Sequence, residues 1–496
     1  MDFRLNPKVV PFRQFWNETT SLFLGELVIA NQSKNNRKMN PSCFFKLKQL
    51  YGLFALLCLP FLSLGQSQTA LDPTQIQIGD EILIDFKLPN RQLIEPRIAT
   101  HPTVANHLIA VGWVMPTSGD RHDLDVESCA VFFSKDGGKS WNQGPLLGRG
   151  CADPWITLSE KGALLTSLGT HPSLPDSDED QLLAYFSFNG GETWSLNPQS
   201  LGYFHDGPRS VANQQGTTYV ISSQSTVNER GKPRFPIYIG RAKAGQAFVD
   251  KRTSITPSNL NLNSDGIATL ADGTLLVSYQ DFQRPVNGFR NRGRRGVLKT
   301  RREWVVTSED GGLSFSEPKL ITEACFDRAG DLAVDLSKGA FHDRIYCICS
   351  GSDYKSILLS SSHDQGEEWT DAEAIELPDT LKGIRREPQL AVNNQGILAV
   401  AWMDGRDAPD RKCFTPYITF SSDGGQSFSP VRRVGEALSC PKPAEAGIFV
   451  PRRWPSGGDY FGLASAADGR FHLLWADART GKFQLYTAAI SVLGEK

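Results

Sequence analysis

Ser134-Lys135-Asp136-Gly137-Gly138-Lys139-Ser140-Trp141 is a turn that this chain writes five times. It returns as Ser187-Phe188-Asn189-Gly190-Gly191-Glu192-Thr193-Trp194, as Ser308-Glu309-Asp310-Gly311-Gly312-Leu313-Ser314-Phe315, and as Ser362-His363-Asp364-Gln365-Gly366-Glu367-Glu368-Trp369. The last copy is Ser421-Ser422-Asp423-Gly424-Gly425-Gln426-Ser427-Phe428. Each follows an apolar, β-prone run such as Cys129-Ala130-Val131-Phe132-Phe133, so the pattern Ser-x-Asp-x-Gly-x-x-aromatic reads as a clasp closing a β-hairpin. In it the Asp or Asn accepts backbone N–H bonds, the glycines supply positive φ, and the aromatic tucks back under the hairpin.

The copies lie roughly 55 to 60 residues apart with one gap of twice that, a period that signals stacked or radially repeated units. A degenerate copy fits the gap at Arg241-Ala242-Lys243-Ala244-Gly245-Gln246-Ala247-Phe248, which keeps the glycine and the aromatic but has no acid. A second repeat marks where each unit begins: a polar residue, often Pro or Gly, then two short apolar strands. Its copies start at Glu95-Pro96-Arg97, Asp153-Pro154-Trp155, Asp206-Gly207-Pro208-Arg209, Asp265-Gly266, Asp331-Leu332, Arg386-Glu387-Pro388 and Asp459-Tyr460-Phe461.

The clasp is the Asp-box, and from about residue 75 onward the chain resembles the sialidase-like (BNR-repeat) β-propeller family. The expected fold is all-β, a propeller of seven four-stranded blades, with six as the alternative because familiar sialidases have six. The segment Ile76-Gln77-Ile78-Gly79-Asp80-Glu81-Ile82-Leu83-Ile84 is the candidate for an N-terminal strand lent to the last blade, which removes two sheet edges at once.

Residues 1–65 read as an N-terminal extension and signal peptide, and 66–496 as a single propeller domain. Lys46 and Lys48 precede an apolar core at about 50–62, and Ser63-Leu64-Gly65 offers small residues for cleavage. Export follows, to a secreted or periplasmic location, with no stable membrane insertion once the signal is cleaved; Met39 is the expected initiator. Of nine cysteines, seven remain after cleavage. Placement in the repeat pairs Cys129 with Cys151, Cys413 with Cys440, and Cys325 with either Cys347 or Cys349.

A formal net charge of −2 gives no global electrostatic reason to expect a nucleic-acid partner. No His/Cys cluster has zinc-ligand spacing and no nucleotide fingerprint is present, so neither metal nor cofactor is expected. The loop from Gln283 to Arg302 carries eight Arg or Lys residues, which fits a solvated face and also fits a funnel for acidic glycans.

The face opposite the clasps gathers the starts of the inner strands around the channel. Its mixture of acids and arginines suits a sugar bearing a carboxylate beside its anomeric carbon, since several guanidiniums can hold that carboxylate. The resemblance implies an exo-alpha-sialidase-type glycosidase, retaining, with a tyrosine nucleophile in place of a carboxylate. Carried over residue by residue, it implies Tyr460 as nucleophile, Glu387 as its activator and Asp125 as acid and base, Asp125 being the best fit among Asp120, Asp123 and itself. It implies Arg97, Arg406 and Arg479 as the carboxylate clamp. For Arg406 and Arg479 the competing reading is a salt bridge fastening each blade's rim, because aromatic-x-Asp followed by Arg recurs in three blades. The expected partner is a glycan or glycoconjugate. The alternative function is a non-catalytic propeller that binds glycan or protein through the same face, and the sequence carries no signal of oligomeric state.

Overall fold

A computed structural model describes residues 75–493 except 89–90, 117–126, 176–178, 204, 228–230, 244–245, 249–251, 258–259, 282–300, 326–330, 352–353, 377–382 and 409–411. The signal region, Met39, Asp125 and most of the basic loop therefore lie outside the described residues.

Seven antiparallel blade sheets follow one another along the chain; five are built from four consecutive strands, and in the third a small hairpin, Thr226–Val227 paired with Pro233–Arg234, intervenes between the second and third strands. The inner strands are Gln92–Thr100, Arg149–Ser159, His205–Ala212, Leu262–Thr269, Asp331–Val334, Arg385–Val392 and Gly462–Ser465. They match the seven expected starts, and the fold is a seven-bladed propeller. The second strands are the most apolar and are buried along their length, as in Leu108–Met115 and Leu398–Asp404, because both faces of each blade pack against neighbouring blades.

Blade 7 is completed from the other end of the chain. Ile76–Ile78 runs antiparallel to Gln484–Val492 with Ile76 opposite Val492, and Ile82–Leu83 pairs further along the same strand. This closure explains why blade 7 needs no clasp: its outer strand arrives from the N-terminal side, so no third-to-fourth turn exists there.

The clasps join third to fourth strands. In the first copy, Asp136 Oδ1 accepts from the Ser134 hydroxyl at 2.8 Å and the Ser140 N–H at 2.9 Å, while Ser134 Oγ accepts the Gly138 N–H at 2.9 Å. Trp141 Nε1 donates to the Gly138 carbonyl at 3.2 Å, which is the tuck expected of the aromatic. Asp423 repeats these contacts in blade 6. In Asp310 the bonds from the Ser314 hydroxyl and backbone hold the carboxyl well below its usual range. The degenerate copy occupies the clasp position of blade 3, where Phe248 is buried and its backbone exchanges hydrogen bonds of 2.7 and 2.9 Å with the Gln199 side chain. A side-chain amide from the adjacent blade thus replaces the missing acid.

Three disulfides form, Cys129–Cys151, Cys325–Cys349 and Cys413–Cys440, and Cys347 remains a buried thiol. Two of them tie neighbouring blades. Cys151 lies within the inner strand of blade 2, beyond the turn that ends blade 1. Cys325 closes the fourth strand of blade 4, so its bridge staples blade 4 to the second strand of blade 5.

Candidate functional site

Four inner strands open on the same three-residue device. Glu95-Pro96-Arg97, Asp153-Pro154-Trp155, Gly207-Pro208-Arg209 and Glu387-Pro388-Gln389 each break register with the second strand. The first residue of each has positive φ: 51°, 48°, 58° and 53°. Proline suits such a bulge because it has no N–H to lose from the ladder. Positive φ at Glu or Asp is costly and persists only where packing over-determines it, a strain concentrated at functional sites. The bulge re-aims the residue after the proline, and those third residues meet one another in the channel.

The Arg97 guanidinium donates to Gln389 Oε1 and, at 2.9 Å, to the Phe461 carbonyl. It lies 3.3 Å from the centroid of Trp155, and Arg209 lies 4.2 Å from the same ring. Tyr460 packs edge-on to Trp155 at 5.7 Å and is 5.4 and 5.3 Å from the two guanidiniums. Arg209 Nε donates to the Asp265 carbonyl at 3.2 Å. Asp331 supplies the negative charge that acts on both arginines. Every blade therefore contributes: Arg97, Trp155, Arg209, Asp265, Asp331, Gln389 and Tyr460 in ring order.

The electrostatics are those of a crowded, water-poor centre. Burial pushes Arg97 down to about 10, against the pull of Asp331 and with the repulsion of Arg209 added. Burial likewise lifts Asp331 above the usual carboxylate range although both arginines oppose it. The Tyr460 hydroxyl is buried, donates to the Pro154 carbonyl at 3.2 Å, and is held well above its ordinary pKa by burial and then by the Glu95 and Asp153 charges. It is a neutral phenol that needs a base before it can attack anything. The protein contacts of Arg97 run through Nη1 and those of Arg209 through Nε and Nη1. Each fork keeps an Nη2 edge without a hydrogen bond to the described residues, which is the edge a ligand carboxylate takes.

The structure brings Arg97 and Tyr460 together, and Arg406, Arg479 and Glu387 stand among other partners. Arg406 Nη2 donates to Asp404 at 2.6 Å while its guanidinium covers Tyr417 at 4.3 Å, and Trp402 Nε1 donates to the same Asp404 at 2.7 Å. Arg479 repeats this with Asp477 at 2.7 Å, Tyr486 at 4.1 Å and Trp475 at 3.1 Å, and adds Glu81 at 2.5 Å. Identical geometry in two blades marks a rim fastener, and among the described residues neither arginine contacts the Arg97 group. Glu387 stands on the blade 6 bulge with the Ser456 hydroxyl donating to its carboxylate at 2.5 Å. Asp125 lies outside the described residues. Sequence reasoning missed Arg209, Trp155, Asp331 and Gln389 as site residues; the signal that finds three of them is the shared acid-or-Gly, Pro, X triplet. Among the described residues no cluster of His, Cys, Asp or Glu could hold a metal ion, and no helix is long and apolar enough to cross a membrane.

Fold and channel together define a seven-bladed β-propeller with Asp-box clasps and a mixed-charge centre. The BNR/Asp-box repeat family matches residues 185–196, which span the second clasp and the last residues of the strand before it. No curated protein matches the chain in sequence. Among solved structures it is similar to a protein of unknown function from Dyadobacter fermentans, with a TM-score of 0.48, 10% identity, and coverage of 84% of this chain and 99% of the other. An alpha-L-arabinofuranosidase from Fusarium graminearum gives 0.46, 12%, 84% and 98%, and NanB sialidase from Streptococcus pneumoniae gives 0.45, 10%, 84% and 70%. At this level of likeness the choice of ligand has to come from the channel itself.

Proposed function

We propose that the protein is an exported glycoside hydrolase of the exo-alpha-sialidase type, acting on glycans that end in a carboxylated sugar. The observation that carries this reading is the pair of guanidiniums, Arg97 and Arg209, crowded on one Trp155 ring beside Tyr460 with Asp331 between them in charge. Two buried like charges repel, and an added carboxylate relieves that repulsion while taking up their unused N–H groups. Arg97 and Arg209 hold the carboxylate, Trp155 and Tyr460 give the sugar ring an aromatic wall, and Tyr460 is the nucleophile that a negatively charged substrate tolerates. Asp125 keeps the acid and base role that its place in the repeat suggested. Export is supported by the three disulfides, which persist in oxidising compartments.

Turnover of a fluorogenic sialoside by the mature protein is the test. Tyr460→Phe is expected to lower kcat by at least about 10³-fold, and Arg97→Ala or Arg209→Ala to raise KM at least about tenfold. Activity indifferent to all three substitutions removes this assignment. The second reading, a propeller that binds an acidic glycan without cleaving it, is favoured by the Tyr460 hydroxyl being already committed to the Pro154 carbonyl. It predicts no turnover on any acidic glycoside together with retained binding that Arg209→Ala abolishes.

A further inference from the structure

Four arginines on the blades are each neutralised by a carboxylate. Arg406 has Asp404 at 2.6 Å, Arg479 has Asp477 at 2.7 Å, Arg453 has Asp459 at 2.9 Å, and Arg302 pairs with Asp281. The two channel arginines are held differently. Arg97 Nη1 donates to the Gln389 side-chain oxygen and, at 2.9 Å, to the Phe461 carbonyl, while Arg209 donates to the carbonyls of Asp265 and Pro208 at 3.2 and 3.0 Å. Their flat faces meet the rings of Trp155 and Tyr460. Every one of these partners is neutral, and among the described residues neither guanidinium forms an ion pair. Asp331 acts on them only through space, its Oδ1 accepting the Leu332 N–H at 3.0 Å.

Most of those acceptors are main-chain carbonyls that the fold fixes, so Gln389 is the one side chain that offers either arginine an oxygen. It is 3% exposed and stands two residues past the positive-φ Glu387 of the blade 6 bulge. Its amide is oriented from both ends: the oxygen faces Arg97, and Nε2 donates to the Pro388 carbonyl at 2.9 Å. A glutamate there would have the same reach and would give Arg97 the same oxygen together with a full negative charge. The amide therefore braces the guanidinium and leaves its charge in place.

We propose that Gln389 is the specificity-determining residue of the channel: a neutral acceptor that aims Arg97 without neutralising it, so that the site selects a carboxylate-bearing ligand over a neutral sugar of the same shape. The proposal rests on the acidic-glycan reading above and names the side chain that enforces it. One unit of charge placed roughly 6 Å from a ligand carboxylate, at an effective dielectric of about 20, alters binding by roughly 100-fold. That is the size of the selectivity assigned to this position.

The experiment uses the full mature chain with Q389E and Q389M. Both substitutions lose the bond to the Pro388 carbonyl, so that loss cancels when the two are compared. Q389E keeps an oxygen on Arg97 and adds a charge, whereas Q389M removes the oxygen and adds none. Binding of N-acetylneuraminic acid and of its neutral methyl ester is measured by calorimetry. Wild type is expected to bind the acid at least about tenfold more tightly than the ester; equal binding overturns the proposal. Q389E is expected to lose about 30- to 100-fold for the acid with the ester kept within about threefold, and Q389M no more than about tenfold for the acid. A residue that only braced Arg97 would give the reverse order, because glutamate braces it at least as well. Q389E binding the acid as tightly as Q389M, or more tightly, thus overturns the assignment. Thermal melts are expected to place Q389E above Q389M, since its carboxylate meets an unpaired guanidinium; the opposite order counts against the proposal as well. Sodium formate, compared with sodium chloride at equal concentration, reads the charge without a sugar. It is expected to raise the melting temperature of wild type and Q389M by at least about 1 °C and that of Q389E not at all. Formate that stabilises all three alike, or none of them, overturns the role of Gln389. Should N-acetylneuraminic acid fail to bind wild type while formate gives the expected pattern, the sialidase-type reading falls and the selectivity for a carboxylate stands.

Discussion

Gln365 occupies the place in the fourth clasp where the other copies have glycine, and its φ of 63° matches the 71–79° of those glycines, such as Gly137 at 76°. The turn's geometry is imposed by the acid and serine around it, so the side chain is forced into the left-handed region at a cost of about 1–2 kcal/mol. Glycine is freer in the unfolded chain, which returns part of that. Q365G is expected to stabilise the protein by about 0.5 kcal/mol, read as an upward shift of the denaturant midpoint. The opposite experiment sits in blade 6, where a Cβ at Gly424 would approach Phe341 and Arg344 to 2.7 Å at φ 74°, so Gly424→Ala should destabilise. This scale is where the sequence spoke most clearly. Asp, Gly and Ser in a fixed order specify a hydrogen-bond pattern completed within eight residues, and no distant contact has to be known.

At the scale of the element, the rim fasteners and the bulges were harder to tell apart from sequence. Trp402-x-Asp404-x-Arg406 and Trp475-x-Asp477-x-Arg479 look like clamp residues because an arginine near a channel suits a carboxylate. What decides is the tyrosine of the third strand, Tyr417 or Tyr486, which each guanidinium covers, and that partner lies at no fixed distance in the chain. Arg406→Met leaves Asp404, 0% exposed, with only the longer 3.6 Å ion pair to Arg385, and a loss of about 3 kcal/mol of stability is expected in denaturant titration. Arg209 escaped notice for the reverse reason. It meets Trp155 only when two blades pack, and one sequence does not say which inner-strand residues a bulge turns toward the pore. The closing strand was legible as an apolar segment upstream of the first blade. Deleting residues up to Ile84 should unpair the Gln484–Val492 edge and forfeit the burial of Ile76 and Ile84, at about 1.5–3 kcal/mol for each isoleucine lost, with self-association visible in size-exclusion chromatography.

For the whole molecule, the count of seven blades was legible because it is a count of repeats, whereas the centre of the ring is the product of all seven at once. Closing the ring forces acids out of water: burial pushes Asp85, Asp153 and Glu303 each up to about 7, and holds Glu95 and Asp265 well above the usual carboxylate range. The folded state therefore binds more protons than the unfolded chain between about pH 4 and 7, so stability is greatest at the acid end of that window and falls as pH rises through it. Melting is expected about 2–5 °C higher at pH 5.5 than at pH 7.5, and a melt that is flat or rises with pH contradicts this picture of the interior.

The claim on which the function stands is that Arg97 and Arg209 jointly receive a carboxylate over Trp155. A crystal structure of the mature protein soaked with N-acetylneuraminic acid measures this directly. The predicted result is a sugar whose carboxylate oxygens lie within about 3.2 Å of both guanidiniums, with its ring against Trp155 and its anomeric carbon facing Tyr460 Oη. A channel left empty at saturating ligand, or a sugar seated on Arg406 or Arg479 instead, would contradict it.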